Sequence, residues 1–286
     1  MILRRLFAVA IIAVFSWVQL PAHAGNSSNG KRAGLSEAHD PLSLNSSVAL
    51  VADADSLEVL YAKNPHVVLP IASITKLMTV VVTLEAGLDL NEVISITEED
   101  IDYYKNTRSR LRPGNQFTRK ELIHLALMAS ENRAASALGR HYPGGLAACV
   151  AQMNRRARQL GMYSTTFTET TGLSEQNRSS ANDLARMVLH VQQFPMIRQF
   201  STDPQFSVQS DKGVLSFRNT NRLIKKKEWD IELQKTGFIN EAGRCLVMKA
   251  RVGDRNLIIV LLDAFGSQAR MADAERIRQY VVSSRN

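Results

Sequence analysis

Pro70-Ile71-Ala72-Ser73-Ile74-Thr75-Lys76-Leu77-Met78-Thr79 is the stretch from which the fold can be read. Its first residues have the character of a turn. From Ser73 the chain reads as a helix through Met78, Val81, Val82 and Leu84 to Gly87, apolar nearly all round. Such a helix is buried, so other elements must surround it. Ser73 and Lys76 stand three residues apart, on one face and within hydrogen-bonding reach. Burial disfavours an ammonium ion, and a neutral amine beside a hydroxyl makes the serine a nucleophile. Unpaired N–H groups at the helix start favour a developing oxyanion. The same spacing fits an N-cap serine beside a snorkelling lysine. It also recurs at Ser28-Asn29-Gly30-Lys31, in a stretch predicted to form no helix. The rest of the chain must separate the two readings.

Met1 to Ala24 carries Arg4 and Arg5, an apolar run from Leu6 to Val18, then Pro21-Ala22-His23-Ala24, the pattern of an export signal cut after Ala24. The apolar run is shorter than the roughly 20 residues of a membrane-spanning helix. Cleavage removes two positive charges and no negative one, lowering the formal charge from +8 to +6. In an exported chain that surplus suits a solvated surface, or peripheral contact with anionic wall or membrane polymers, and no nucleic-acid partner is expected. The length of 286 residues, 45 % hydrophobic, allows a sizeable core. Cys149 and Cys245 lie far apart without metal-ligand spacing. Two buried free thiols are expected, with a disulfide as the alternative in an oxidising compartment. The six histidines form no His-Glu-x-x-His pattern, and neither metal nor cofactor is expected.

Residues 25–45, rich in Gly, Ser and Asn, read as a flexible leader to one domain over 46–286. Ser47 to Val51 and Glu58 to Ala62 are β-prone. Residues 92–119 read as short strands and loops with a solvated tip at Arg108, Arg110 and Arg112. Thr118-x-x-Glu121 has capping-box spacing and opens a helix through Met128. After Ser130-Glu131-Asn132 another helix starts near Ala134 and breaks at Tyr142-Pro143-Gly144-Gly145. Leu146 to Leu160 is amphipathic, Thr170 to Leu173 a loop, and Ser180 caps a helix through Val191. From Phe206 the pattern is β, with strands over 207–214, 215–223, 229–238, 244–252 and 256–264, then a helix over about 267–282. His124 and His141 are expected to be structural. Strands at both ends with helices between predict an α/β (α+β) fold, an antiparallel sheet flanked by helices with a helical subdomain inserted.

Three patterns follow in order: Ser73-x-x-Lys76 at a helix start, Ser130-x-Asn132 between helices, and Lys235-Thr236-Gly237 on a late strand. Ser-x-Asn also occurs at 43–45 and 180–182, whereas Lys-Thr-Gly occurs once. The conjunction, each motif in the setting its chemistry needs, carries the weight. In these motifs and in the longer runs 70–79, 125–135, 142–145 and 235–238, the chain resembles the penicillin-recognising serine D,D-peptidases, the low-molecular-mass penicillin-binding proteins. The resemblance covers about Ser46 to Gln279. Within that family it is most similar to the D-alanyl-D-alanine endopeptidases of the penicillin-binding protein 7 type.

The resemblance implies a β-lactamase/transpeptidase-like fold with its active site between sheet and helical subdomain, a periplasmic location, and hydrolysis of D-alanyl cross-links in peptidoglycan. It implies Ser73 as the acylated nucleophile, Lys76 as its base and Ser130 as the proton relay to the leaving amine. Asn132 would hold the substrate amide and the Lys76 amine, and Lys235 with Thr236 the substrate carboxylate. Gly237 would admit the peptide as an added strand, and the Ser73 and Phe238 N–H groups would form the oxyanion hole. β-Lactams would be covalent inhibitors. A class A β-lactamase needs a glutamate in Glu-x-x-Leu-Asn, and around Glu169 the chain has Glu-Thr-Thr-Gly-Leu, so penicillin should acylate Ser73 and stay. A D-alanyl-D-alanine carboxypeptidase would use the same residues. Those enzymes often add a C-terminal β-domain and anchor helix, whereas this sequence stops at Asn286 after its last helix, which favours the endopeptidase. A wall-binding protein without catalysis would have lost a motif residue, and none is lost.

Overall fold

A computed structural model describes residues 28–32, 35 and 40–284, so the expected signal, Met1 to Ala24, lies outside the described residues. Five strands build the main sheet: β1 (Ser46–Asp53), β2 (Val59–Lys63), β3 (Asp230–Ile239), β4 (Gly243–Val252) and β5 (Arg255–Ala264). They are antiparallel throughout, in the order β2-β1-β5-β4-β3, so both chain ends meet at the β1–β5 pair, where Val51 faces Ile259.

Among the described residues, seven helices of eight residues or more surround the sheet. They are α1 (Thr75–Glu85), α2 (Arg119–Met128), α3 (Asn132–Arg140), α4 (Gly145–Gln159), α5 (Ala181–Val191), α6 (Pro195–Thr202) and α7 (Ala269–Ser283). β5 is apolar without alternation because both its faces are covered. Ile258, Val260 and Leu262 join Val48, Leu50 and the helical core around α1. Leu257, Ile259 and Leu261 join Ala49, Val51 and the inner face of α7 at Ala274, Ile277 and Val281. The buried Asp273 ties α7 to β1, its carboxylate accepting from Ser46 N at 2.8 Å, Ser46 Oγ at 2.7 Å and Asn45 N at 2.9 Å. At α2 the capping box forms as expected: Glu121 N donates to Thr118 Oγ1 at 3.2 Å and Thr118 N to Glu121 Oε2 at 2.7 Å.

Three readings are corrected. The first two late strands are one hairpin, Gln205–Ser210 with Gly213–Arg218, turning at Asp211-Lys212 rather than at Val214. Gly213 takes φ +107, which a glycine adopts without strain, while apolar residues at 214 and 215 mask the turn. α6 falls in a stretch given no element, with Pro195 in its first turn. The second Ser-x-x-Lys falls on a four-residue helical turn, Asn29–Arg32. There residues 28–30 are tied down: the Asp263 carboxylate accepts from Asn29 N at 3.1 Å and Gly30 N at 2.5 Å, and Ser28 Oγ meets Ser47 Oγ at 2.6 Å. A carboxylate supplied by the sheet organises a segment whose own composition could not.

Candidate active site

Ser73 sits in a single 3-10 turn, Ala72–Ile74, that runs directly into α1. Ile74, not Ser73, is the N-cap of α1, which has no side-chain cap, so the capping-serine reading falls. Thr75 to Thr83 are all buried, and Lys76 is 0 % exposed. Its Nζ donates to Ser73 Oγ at 2.8 Å, Asn132 Oδ1 at 2.8 Å and the Thr171 carbonyl oxygen at 2.5 Å. Burial pushes Lys76 down to about 8, although Glu169 and Glu131 pull the other way.

The backbone beneath Ser73 is strained. Ala72 takes φ +48, a left-handed conformation that costs a residue with a Cβ about 1–2 kcal/mol. Two glycines leave room for it. A Cβ on Gly172 would lie 2.0 Å from the Ala72 carbonyl oxygen, and one on Gly237 would lie 3.0 Å from Ala72 Cβ and 3.2 Å from Ser73 N. Gly237 therefore makes room for the turn that carries Ser73. Thr75 Oγ1 closes the turn by donating to Ala72 O at 2.8 Å.

The turn between α2 and α3 supplies the opposite wall. Ser130 stands there at φ +59, and Asn132, which opens α3, turns its Oδ1 to Lys76 and donates from Nδ2 to Thr107 Oγ1 at 3.1 Å. β3, the free edge of the sheet, brings Lys235, Thr236, Gly237 and Phe238. Lys235 is 0 % exposed and held well below the usual lysine range, first by burial and then by Lys76 and Arg270. Arg270 of α7 donates from Nη1 to the Gly237 carbonyl oxygen at 2.7 Å. Thr236 Oγ1 lies 2.6 Å from Thr220 Oγ1. Ser73, Ser130, Asn132, Thr236, Gly237 and Phe238 line one cleft, with Lys76 and Lys235 buried beside it. All eight residues expected at the site are thus brought together.

Sequence reasoning missed Thr107, Leu173, Thr220 and Arg270, which line the same cleft. It also missed the loop behind Lys76. The Glu169 carboxylate accepts from Thr171 N at 2.5 Å, Gly172 N at 2.6 Å and Asn177 Nδ2 at 2.6 Å, which aims the Thr171 carbonyl at Lys76. Those oxygens are engaged in shaping the loop. Among residues set aside, the Arg110 guanidinium stacks 4.0 Å from the Phe217 ring centre and His124 lies between Phe200 and Phe206. Cys149 and Cys245 are free and buried, their thiols pushed up to about 12 by burial.

The profile of a protein family described as D-alanyl-D-alanine carboxypeptidase, Peptidase_S11, matches residues 35–266. The chain belongs to this family. The D-alanyl-D-alanine endopeptidase of Pseudomonas aeruginosa is 47 % identical over 240 residues, 83 % of this chain and 77 % of that protein. The Escherichia coli D-alanyl-D-alanine endopeptidase is 42 % identical over 235 residues, 82 % and 76 % of the two chains. Among solved structures, penicillin-binding protein D2 of Listeria monocytogenes in its ampicillin-bound form matches with a TM-score of 0.72 at 29 % identity, covering 84 % of this chain and 98 % of that one. This S11 peptidase therefore has the penicillin-binding D,D-peptidase fold expected from its sequence.

Proposed function

We propose that this S11 peptidase is a periplasmic serine D,D-endopeptidase that hydrolyses D-alanyl cross-links of peptidoglycan through an acyl-enzyme on Ser73. The observation that carries the reading is the hydrogen bond between Ser73 Oγ and a fully buried Lys76 whose pKa lies near 8. At neutral pH roughly a tenth of such lysines are neutral, enough to take the serine proton as Oγ attacks the carbonyl. The Ser73 and Phe238 N–H groups would receive the oxyanion, and Ser130 would pass the proton to the leaving amine. Lys235 is destabilised as a cation by its surroundings, and an arriving substrate carboxylate reverses that balance, so charge pairing is tied to substrate binding. β-Lactams would acylate Ser73 by the same steps, a reading supported by the ampicillin-bound Listeria relative.

A D-alanyl-D-alanine carboxypeptidase is the second reading, favoured by the family's own description. The 47 % and 42 % identical relatives named as endopeptidases favour the first. The protein without its signal, and a Ser73→Ala variant, should be incubated with D-alanyl cross-linked muropeptide dimers and the products read by mass spectrometry. Monomers formed only by the intact protein establish the endopeptidase. Loss of one alanine with dimers left uncut moves the assignment to the carboxypeptidase.

A further inference from the structure

A salt bridge joins the two walls of the cleft at one end. Lys105 belongs to the loop over 102–107 on the helical side, and its Nζ pairs with the Glu241 carboxylate in the turn between β3 and β4. Thr107, two residues beyond Lys105, lines one wall, and Phe238, three residues before Glu241, lines the other. The loop is held in shape, since the Asp102 carboxylate accepts from the N–H groups of Tyr104 at 3.0 Å, Lys105 at 2.8 Å and Thr107 at 3.0 Å. From Thr107 the contacts continue through Asn132 Nδ2 and Oδ1 to Lys76 Nζ. The loop is thereby held against Asn132 on the helical wall. The pair is shielded, with side chains 18 % and 34 % exposed, and Glu241 Oε2 is buried without a hydrogen-bond partner among the described residues. Lys105 is the main support of that charge, holding Glu241 below the usual carboxylate range.

We propose that Lys105 and Glu241 form a clasp that fixes the separation of the two walls where an extended peptide leaves the cleft, and that this makes them positioning residues for peptide substrates. A peptide added to the edge of β3 must meet the strand on one side and Asn132 on the other along several residues, so it senses the width of the gap. A β-lactam is shorter than an extended peptide and spans less of the strand, so it senses that width less. Breaking one partner leaves the other charge partly buried and unpaired, which drives the walls apart. The proposal rests on the peptidase reading above.

Lys105→Gln, Glu241→Gln and the charge-reversed double variant Lys105→Glu/Glu241→Lys would be compared with the wild type. Cross-linked dimers, a linear pentapeptide ending in D-alanyl-D-alanine and a fluorescent penicillin serve as substrates, with hydrogen exchange of amides 102–107 as a readout free of catalysis. Each single variant should raise KM for whichever peptide the wild type turns over by about tenfold, with kcat and penicillin acylation held within about twofold. Exchange over 102–107 should quicken, and the double variant should recover most of both losses. Unchanged KM in the single variants, no recovery in the double variant, or an equal loss of penicillin acylation overturns the clasp. A wild type that trims the pentapeptide and leaves dimers whole sinks the endopeptidase reading, and the pentapeptide then judges the clasp. If neither peptide is turned over, exchange alone judges it: faster in both single variants and recovered in the double supports it, and unchanged exchange overturns it.

Discussion

Gly172 lies against Ala72 so closely that a Cβ added to it would stand 2.0 Å from the Ala72 carbonyl oxygen. Gly172 is itself at φ +83, where a side chain is strained whatever the space. Gly172→Ala must displace the turn that carries Ser73. It is expected to destabilise the protein by about 1–3 kcal/mol and to slow penicillin acylation at least about a hundredfold, since misplacing a reacting atom by an ångström costs that much. Thermal unfolding and fluorescent penicillin labelling read the two effects. Labelling at the wild-type rate would show that the turn is not clamped.

Acylation should follow the titration of Lys76. A base acts in its neutral form, so the rate should climb roughly tenfold per pH unit below about 8 and level off above it. Stopped-flow acylation between about pH 6 and 9 would show this, and a flat profile would remove Lys76 as the base.

The same shift has a stability side. Unfolded Lys76 titrates near its ordinary 10.5 and folded Lys76 near about 8, so between these values the unfolded state holds more protons and stability rises with pH. The cost of burying the charge is full below about 8 and gone above 10.5. Lys76→Met should therefore gain most over the wild type near neutral pH, with the gap narrowing toward pH 10. A gap that stays constant in thermal unfolding across that range would contradict the shift.

Glu169→Gln separates two roles for one carboxylate. If Glu169 shapes the loop rather than activating water, the lifetime of the penicilloyl-enzyme should not change. Stability should fall by about 1–3 kcal/mol as charged acceptors of buried N–H groups are lost. Because Glu169 raises the pKa of Lys76, the midpoint of the acylation profile should move to lower pH. A longer-lived acyl-enzyme would instead make Glu169 a deacylation residue.

Asp273→Ala tests the join between the chain ends. It strips acceptors from Ser46 N and Asn45 N at the start of β1, inside a fully buried contact, and should cost roughly 3 kcal/mol in denaturant unfolding. A loss under about 0.5 kcal/mol, the range of surface changes, would count against that join.

What could be read from the sequence was local. Ser73 with Lys76 and Lys235 with Thr236 and Gly237 reveal themselves by spacing, and the capping box at Thr118 by two residue types three apart. Thr171 reaches Lys76 through a carbonyl group, which every residue has, across 95 positions of sequence. Ala72 gives no sign of its left-handed turn, because the space that turn needs is left by Gly172 and Gly237, far along the chain. The bond between Lys105 and Glu241 likewise joins two ordinary surface residue types that only the folded sheet brings together. The displaced hairpin turn at Asp211-Lys212 has another cause: apolar residues continue past the turn, so a two-residue period does not show where the strand ends.

Arg270 reaches from α7 to the carbonyl of Gly237, and Gly237 in turn packs under Ser73. Ser73 lies early in the described chain, and the strand and helix that meet its turn follow much later in sequence. Until they dock, Ser73 stands without Lys235 beside it, without Gly237 beneath its turn, and with Lys76 open to water. The geometry under Ser73 is complete only when that strand and helix dock, so the site depends on contacts far along the chain from it.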